Sequence, residues 1–146
     1  MDNICKGIEI RQNNKRKKLT TIALNRFFSV STNQSKGDFR SVYPRFQGEN
    51  FQKNQRLVDS LRAIATRKGC TLAQLAVAWV LSRGDDIVPL VGARTTKRLQ
   101  EALGGTSVSL SSGDLVEIER AVPRGAVAGE RYPVEQMAWL DSERIS

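Results

Sequence analysis

Two helices are predicted in the middle of the chain, where apolar residues recur at helical spacing. The apolar residues of the first helix, within the range 50–68, are Leu57, Val58, Leu61, Ile64 and Ala65. Gly69 should end this helix, and Thr71 with Gln74 matches a capping box that begins a second helix over about 72–83. Because the second helix is apolar on nearly every side, we expect other elements to surround it.

A short apolar run after these helices predicts a strand. Residues 87–91 read Ile-Val-Pro-Leu-Val between turn-forming residues, a pattern typical of a strand buried on both faces, as in a parallel sheet. Pro89 cannot donate to a sheet ladder, so the strand is expected to be short. Gly92 then turns the chain toward a third helix.

Two further helices and a tail are predicted in the rest of the chain. The third helix should end at the Gly104–Gly105 pair, and Ser111 or Ser112 should cap a fourth helix that runs to about Val122. From Pro123 onward, a tail with Gly and Pro carries only a short helical pattern over 136–140. The predicted order is helix, helix, strand, helix, helix and tail.

The junction between the strand and the third helix has the features of a phosphate site. Arg94 lies in the turn and Arg98 near the first helical turn, so both can reach one anion. A helix N-terminus favours an anion through its free N–H groups and its dipole, and guanidinium donors match phosphate oxygens. Two plainer interpretations stay open: the arginines form a solvated face, or Arg98 pairs with Glu101 three residues later.

Three segments, in order along the chain, resemble the aldo-keto reductases. Asp38-Phe39-Arg40 and the Pro-Arg-Phe-Gln-Gly-Glu-Asn-Phe run of 44–51 resemble the segment before the seventh barrel helix of those enzymes. Residues 73–81 resemble the family's AQLALAWVL helix. The Gly-x-Arg turn and Arg-Leu-x-Glu helix of 92–101 resemble its cofactor segment.

The resemblance implies an α/β fold of which this chain holds only a part. The family's (β/α)₈ TIM barrel takes roughly 250 residues, whereas this chain has 146. We therefore expect residues 36–146 to be the C-terminal portion of a barrel with its tail, mostly helical with one or two short strands. Residues 1–35 are expected to be a basic segment, disordered or not homologous to the barrel.

The resemblance also places an NADP site on the last strand and the helix that follows it. The family's arginine that contacts the 2′-phosphate of NADP corresponds to Arg98, and Arg94 is placed to add a second contact. Gly92 and Ala93 would bring the backbone close to the same phosphate.

Other parts of that site depart from the family. Glu101 matches a glutamate that touches the adenine amine, but Ala102 replaces the asparagine beside it. One lost hydrogen bond costs ~1 kcal/mol. The stretch that corresponds to the family's glycine-rich phosphate loop, 24–31, holds no glycine. We therefore expect NADP binding to be weak or vestigial.

The family's chemistry is not expected from this chain alone. In the family a tetrad of Asp, Tyr, Lys and His, from the earlier part of the barrel, performs catalysis. This chain has no histidine, and Tyr43 and Tyr132 lie outside any segment that resembles the family's tyrosine motif. We identify no catalytic residue and expect a truncated NADP-dependent oxidoreductase, acting on carbonyl or alcohol substrates by descent and inactive alone. The alternative is a module without catalysis that keeps weak nucleotide affinity or complements a partner.

The net charge of +8 is concentrated near the N-terminus, where the first 26 residues hold seven basic and two acidic residues. The run 15–18, Lys-Arg-Lys-Lys, is compatible with phosphate-backbone binding or an import signal. It lacks interleaved aromatic residues and an amphipathic stripe, which favours a solvated tail over a nucleic-acid site.

The remaining composition excludes several classes of protein. No apolar run approaches the ~20 residues that span a bilayer. Cys5 and Cys70 show no metal-ligand spacing, so we expect free thiols, no metal and a cytoplasmic chain. The unpaired strand edges of a partial barrel should favour self-association.

Overall fold

The computed structural model describes residues 10–11, 39–85, 87–89 and 91–137, and most of these residues are helical. The α-helices are α1 (Gly48–Arg67), α2 (Leu72–Leu81), α3 (Thr96–Gly104), α4 (Ser112–Ala121) and α5 (Val134–Met137). Short 3-10 helices span Phe39–Val42, Pro44–Phe46 and Gly105–Ser107, and the strands are β1 (Ile10–Arg11) and β2 (Val88–Pro89). The described residues form no closed barrel, and their mostly helical character agrees with the predicted architecture. The predictions for residues 15–18, for the loop 24–31, for Cys5 and for the end of the tail fall outside the described residues.

Helix α1 follows the predicted apolar spacing. Its buried residues are Asn54, Val58, Leu61, Ile64 and Ala65. All of these except Asn54 belong to the predicted stripe. Gly69, with φ of +66°, ends the helical region as predicted, and the Cys70 N–H then donates to the Ala65 carbonyl at 3.0 Å. A left-handed glycine is favoured there because it has no Cβ to clash.

Helix α2 is the centre of the described fold, as its apolar sequence predicts. The capping box is present: the Gln74 N–H donates to Thr71 Oγ1 at 3.2 Å, and the Thr71 N–H donates to Gln74 Oε1 at 2.9 Å. The buried residues of α2 are Leu75, Ala76, Val77, Ala78 and Val80. Helix α2 contacts α1, α3, β2 and the 3-10 helix Gly105–Ser107, which together cover most of its surface.

Two clusters of buried apolar residues meet at Trp79. The main cluster consists of Leu61, Ile64, Ala65, Leu75, Ala76 and Ile118. The smaller cluster consists of Val80 and Ile87, and Trp79 packs against both. The Arg83 guanidinium lies over the Trp79 ring at 5.1 Å from its centroid, a cation–π contact. Trp79 is therefore a packing residue, as its place on α2 suggests.

The glycine pair after α3 does more than end a helix. A Cβ on Gly105 would lie 2.7 Å from the Val77 Cβ and 3.0 Å from the Gln74 carbonyl oxygen. A Cβ on Gly104 would meet only the end of the flexible Gln74 side chain. Gly105 therefore lets the 3-10 helix after α3 contact α2 closely, which the sequence pattern did not predict.

The strand differs from its prediction in two respects. β2 pairs antiparallel with β1, with Pro89 opposite Ile10 and Val88 opposite Arg11, whereas a parallel sheet was expected. Burial on both faces is also wrong: Ile87 packs against Val80, but Val88 is 67% exposed. An apolar run cannot distinguish one covered face from two, because the covering elements come from elsewhere in the chain.

Helix α4 begins at the predicted cap. The Asp114 N–H donates to Ser111 Oγ at 3.2 Å, and the Ser111 N–H donates to the Asp114 carboxylate at 2.7 Å, which completes a second capping box. Ile118 is the buried residue of this helix. Helix α5 covers the first two residues, 136 and 137, of the short helical pattern predicted in the tail, and residues 138–140 lie outside the described residues.

Three ion pairs connect α4 to the preceding helices. Lys68 Nζ contacts Asp114 Oδ2 at 2.8 Å, Arg83 Nη1 contacts Glu119 Oε1 at 2.8 Å, and Arg67 pairs with Glu117. The hydrogen bonds from Lys68 and Ser111 lower the pKa of Asp114 from 3.8 to about 2.

Candidate phosphate-binding turn

The turn from β2 into α3 holds three of the six predicted site residues, and the other three lie in α3. Thr95 is extended (φ −139°, ψ 152°) and caps α3: the Arg98 N–H donates to Thr95 Oγ1 at 3.3 Å. Arg98 is therefore the third residue of the helix, and Lys97 precedes it. The other N–H groups of the first turn have no partner within the helix, so this end carries positive potential.

Gly92, Ala93, Arg94 and Arg98 all lie on the exposed surface. The first turn of α3 contains no acidic residue. Within the part of the chain that the structure describes, neither Arg94 nor Arg98 forms an ion pair, so both guanidinium groups remain available to an anion. The four residues thus share one solvent-facing segment of the chain.

Lys97 is a third cation on this segment that the sequence reasoning missed. It is exposed and occupies the second position of α3, beside Arg98. Its position in the first helical turn was readable from the sequence, but the family pattern drew attention to the arginines alone. With Arg94 and Arg98, it makes the exposed end of α3 strongly cationic.

The two positions predicted to contact adenine are less exposed than the four predicted to lie at the phosphate. Glu101 is half-buried and, between these two described residues, makes no ion pair with Arg98. Ala102 is 7% exposed and is the buried residue of α3, the helix that packs on α2. The structure therefore does not bring Ala102 to the surface that carries the arginines.

Asn54 is a buried polar residue that the sequence reasoning also missed. It is 1% exposed, and its side chain makes hydrogen bonds to the backbones of Arg45 and Ala128. In the sequence, Asn54 could be recognised as an amide residue that lies on the apolar stripe of α1, one turn before Val58. Buried amides are retained where they satisfy backbone groups, so Asn54 has a structural role at the least.

Other candidate chemistry is sparse in the described residues. Tyr43 and Tyr132 pack edge-to-face with ring centroids 5.6 Å apart. Burial raises the pKa of the Cys70 thiol, an effect that the charge of Lys68 partly opposes, so Cys70 is not an activated nucleophile. Among the described residues no group of His, Cys, Asp and Glu side chains is arranged to hold a metal. No helix in the described ranges is long and apolar enough to cross a membrane.

Comparison with known proteins finds a family model and named relatives that match much of this chain. A model of the aldo/keto reductase family matches residues 8–123, a range that includes the turn and begins upstream of the segments that carry the resemblance. The aldo-keto reductase yakc of Schizosaccharomyces pombe, whose name specifies NADP(+), is 45% identical over 97 residues, 66% of this chain. A probable aldo-keto reductase 1 of Glycine max is 44% identical over 104 residues, 71% of this chain. The matched segments are 28% and 29% of the lengths of these two relatives, so the chain corresponds to less than a third of each.

Proposed function

This chain belongs to the aldo/keto reductase family, and from that premise we propose that it is the NADP-phosphate-binding portion of a carbonyl-reducing oxidoreductase. Alone, it binds the 2′-phosphate of NADP weakly and does not transfer hydride. The observation that carries the proposal is the capped, exposed N-terminus of α3, where Arg94, Lys97 and Arg98 lie without acidic partners in the described structure.

The chemistry of this surface suits a phosphate monoester. Arg98 supplies a guanidinium from the first helical turn, Arg94 supplies another from the turn before it, and the free N–H groups of α3 add uncharged donors. Gly92 has no heavy atom within 4 Å of its Cβ position, so nothing described blocks an approaching phosphate there. These groups hold the end of the cofactor that is remote from the reaction; the bound cofactor itself supplies the hydride.

The part of the proposed site that would contact adenine offers fewer hydrogen-bonding groups than the part that would contact the phosphate. Ala102 has no hydrogen-bonding side chain and is turned into the interior, so Glu101 is the remaining candidate for the adenine amine. One missing hydrogen bond corresponds to roughly a fivefold weaker affinity. The cofactor is therefore held mainly by charge, and its affinity should fall as salt is added.

The proposal also separates binding from catalysis. The chain has no histidine, and its two tyrosines pack against each other. We propose that carbonyl reduction requires barrel units that the relatives carry outside the matched segment. Under this proposal, the purified chain binds the cofactor but does not catalyse carbonyl reduction.

Titration of 2′,5′-ADP, NADP and NAD tests the binding part directly. We expect 2′,5′-ADP and NADP to bind more tightly than NAD, because only the first two carry the 2′-phosphate. Arg98→Ala should weaken NADP binding about tenfold or more, since a hydrogen bond to a charged group contributes ~1.5–3 kcal/mol. Arg56→Ala, which removes an exposed arginine from α1, is the charge-matched control and should change the affinity less than twofold, about the scale of a surface charge effect.

Two results would refute the binding part of the proposal: equal binding of NADP and NAD, or equal affinities of Arg98→Ala and wild type. A third result bears on catalysis: oxidation of NADPH by the purified chain with an aromatic aldehyde. The last result would leave the phosphate site standing and remove only the claim of catalytic silence. Isothermal calorimetry and absorbance at the NADPH maximum provide the two measurements.

A further inference from the structure

The segment between Gly125 and α5 runs back across the beginning of α1. There the Asn54 side chain holds both backbone groups of Ala128. Asn54 Nδ2 donates to the Ala128 carbonyl at 2.9 Å, and the Ala128 N–H donates to Asn54 Oδ1 at 2.8 Å. The same Nδ2 group donates to the Arg45 carbonyl at 3.0 Å. One buried amide therefore joins α1, the 3-10 helix Pro44–Phe46 and a segment more than seventy positions away in sequence.

Two neighbouring contacts add to this attachment. Arg45 Nε donates to the Gly129 carbonyl at 3.0 Å, and the Tyr132 ring meets the Tyr43 ring edge-to-face. Gly129 has φ of +80°, and a Cβ on it would lie 2.8 Å from Asn50 Nδ2 and 3.0 Å from the Pro44 carbonyl carbon. The segment thus lies close against the 3-10 helix through its backbone.

The same segment is nearly absent from the apolar core. The buried apolar residues of the described structure extend from Val58 to Ile118, and the partly buried residues packed on the main cluster end at Val122. The segment also begins at Gly125, which is exposed, has φ of +78° and has no heavy atom within 4 Å of its Cβ position. Segments with few buried apolar contacts open at lower free energy than the core.

We propose that residues 126–132 form a strap that opens and closes as one unit while α1–α4 stay folded, with Asn54 as its clasp and Gly125 as its hinge. Opening breaks the bonds of Ala128 to Asn54 and the bond of Arg45 to Gly129, and it separates the two tyrosine rings. It uncovers the 3-10 helix Pro44–Phe46 but exposes little of the apolar core. The strap is a conformational device independent of the phosphate-binding turn.

Limited trypsin digestion of the full 146-residue chain tests the strap, because one arginine lies on each side of the hinge. The bond after Arg124 lies in the exposed stretch before the hinge, and the bond after Arg131 lies inside the strap. In Asn54→Ala we expect cleavage after Arg131 to be about tenfold faster or more, since both hydrogen bonds that hold Ala128 are lost. Cleavage after Arg124 should change less than about twofold, and the helical circular dichroism should be retained.

Gln55→Ala is the matched control. Gln55 follows Asn54 on α1, and among the bonds described its side-chain amide donates only to Asp59 Oδ1, at 3.1 Å. This variant should cleave after Arg131 within about twofold of wild type, because it removes an amide without touching the strap's hydrogen bonds. Equal acceleration by both variants, or no acceleration by Asn54→Ala, would overturn the proposal.

If Asn54→Ala does not fold, hydrogen exchange of the wild-type chain tests for separate opening of the strap. The Ala128 amide, whose acceptor is Asn54, should exchange about a hundredfold faster than the Leu75 amide of α2, since strap opening leaves α2 intact. Exchange of the two amides at one common rate, through global unfolding, would show that no separate strap exists.

Discussion

At the scale of single residues, Gly105 shows how the absence of one side-chain atom sets the distance between two elements. Its backbone is right-handed (φ −64°, ψ −23°), so any residue could adopt its conformation. What excludes a side chain is the contact with α2, where Val77 and the Gln74 carbonyl occupy the space of a Cβ. From the sequence, the glycine pair predicted a helix end correctly, but close packing depends on a surface that only the fold brings there.

Gly105→Ala should therefore destabilise the fold by about 1–3 kcal/mol, the usual cost of overpacking a tight site. Gly113→Ala is the control, because its Cβ position meets only Ser111 Oγ at 3.7 Å and alanine is the better helix former by ~0.5–1 kcal/mol. Urea unfolding followed by circular dichroism measures both. A Gly105→Ala midpoint equal to or above that of wild type would contradict the packing argument.

At the scale of elements, α4 is attached by charge as well as by apolar contact. Ile118 supplies the buried contact, and the pairs with Arg67, Lys68 and Arg83 surround it. Lys68 and Ser111 stabilise the ionised form of Asp114, which lies in the first turn where a negative charge also favours the helix dipole. Docking of α4 should consequently depend on pH.

Because the pKa of Asp114 is lowered from 3.8 to about 2, its ionised form stabilises the folded state above the ordinary value. That contribution is lost as the pH falls toward 2. Asp114→Asn should thus be less stable than wild type at pH 6, and the difference should shrink progressively between pH 4 and pH 2. Urea midpoints across this range provide the measurement, with Asp85→Asn, in the exposed turn after α2, as the control. If the difference in stability between Asp114→Asn and wild type stays constant with pH, ionisation of Asp114 does not stabilise the fold.

The elements differ in how far the sequence determined them. The helices α1, α2 and α4 were predicted closely because their signals are local: apolar spacing, Gly69, and the capping boxes at Thr71 and Ser111. The strand was predicted to lie in a parallel sheet but pairs antiparallel, because its pairing is decided by a segment about eighty residues away. The phosphate site stays a prediction from residue pattern and family resemblance. The role of Asn54 was missed because its partners are backbone groups of other segments, Arg45 and Ala128.

At the scale of the whole molecule, the described structure leaves large apolar side chains exposed on β2 and α3. Val88 is 67% exposed, Leu103 57% and Leu99 45%. In the family's barrel, each strand has a neighbour along both edges and is covered on the outside by helices. We propose that these side chains make the isolated chain self-associate.

Val88→Lys should lower this association, because a charge on an exposed strand opposes edge-to-edge pairing. Sedimentation velocity over a range of protein concentrations measures the change. Val134→Lys is the matched control: Val134 is 81% exposed on α5, outside this surface, and should leave the association unchanged. A wild-type chain that stays monomeric at every concentration would contradict the proposal.

The position of Ala102 limits how the proposed cofactor site could be strengthened. Replacing Ala102 by the asparagine that the resemblance implies would place an amide in the contact between α3 and α2, where an unsatisfied polar group costs ~1–3 kcal/mol. The stability of the contact between α3 and α2 and the proposed adenine contact therefore favour different side chains at position 102. Gains in affinity are better sought on the solvent side of the same helix, at Thr96 or Lys97, where added donors meet no such penalty.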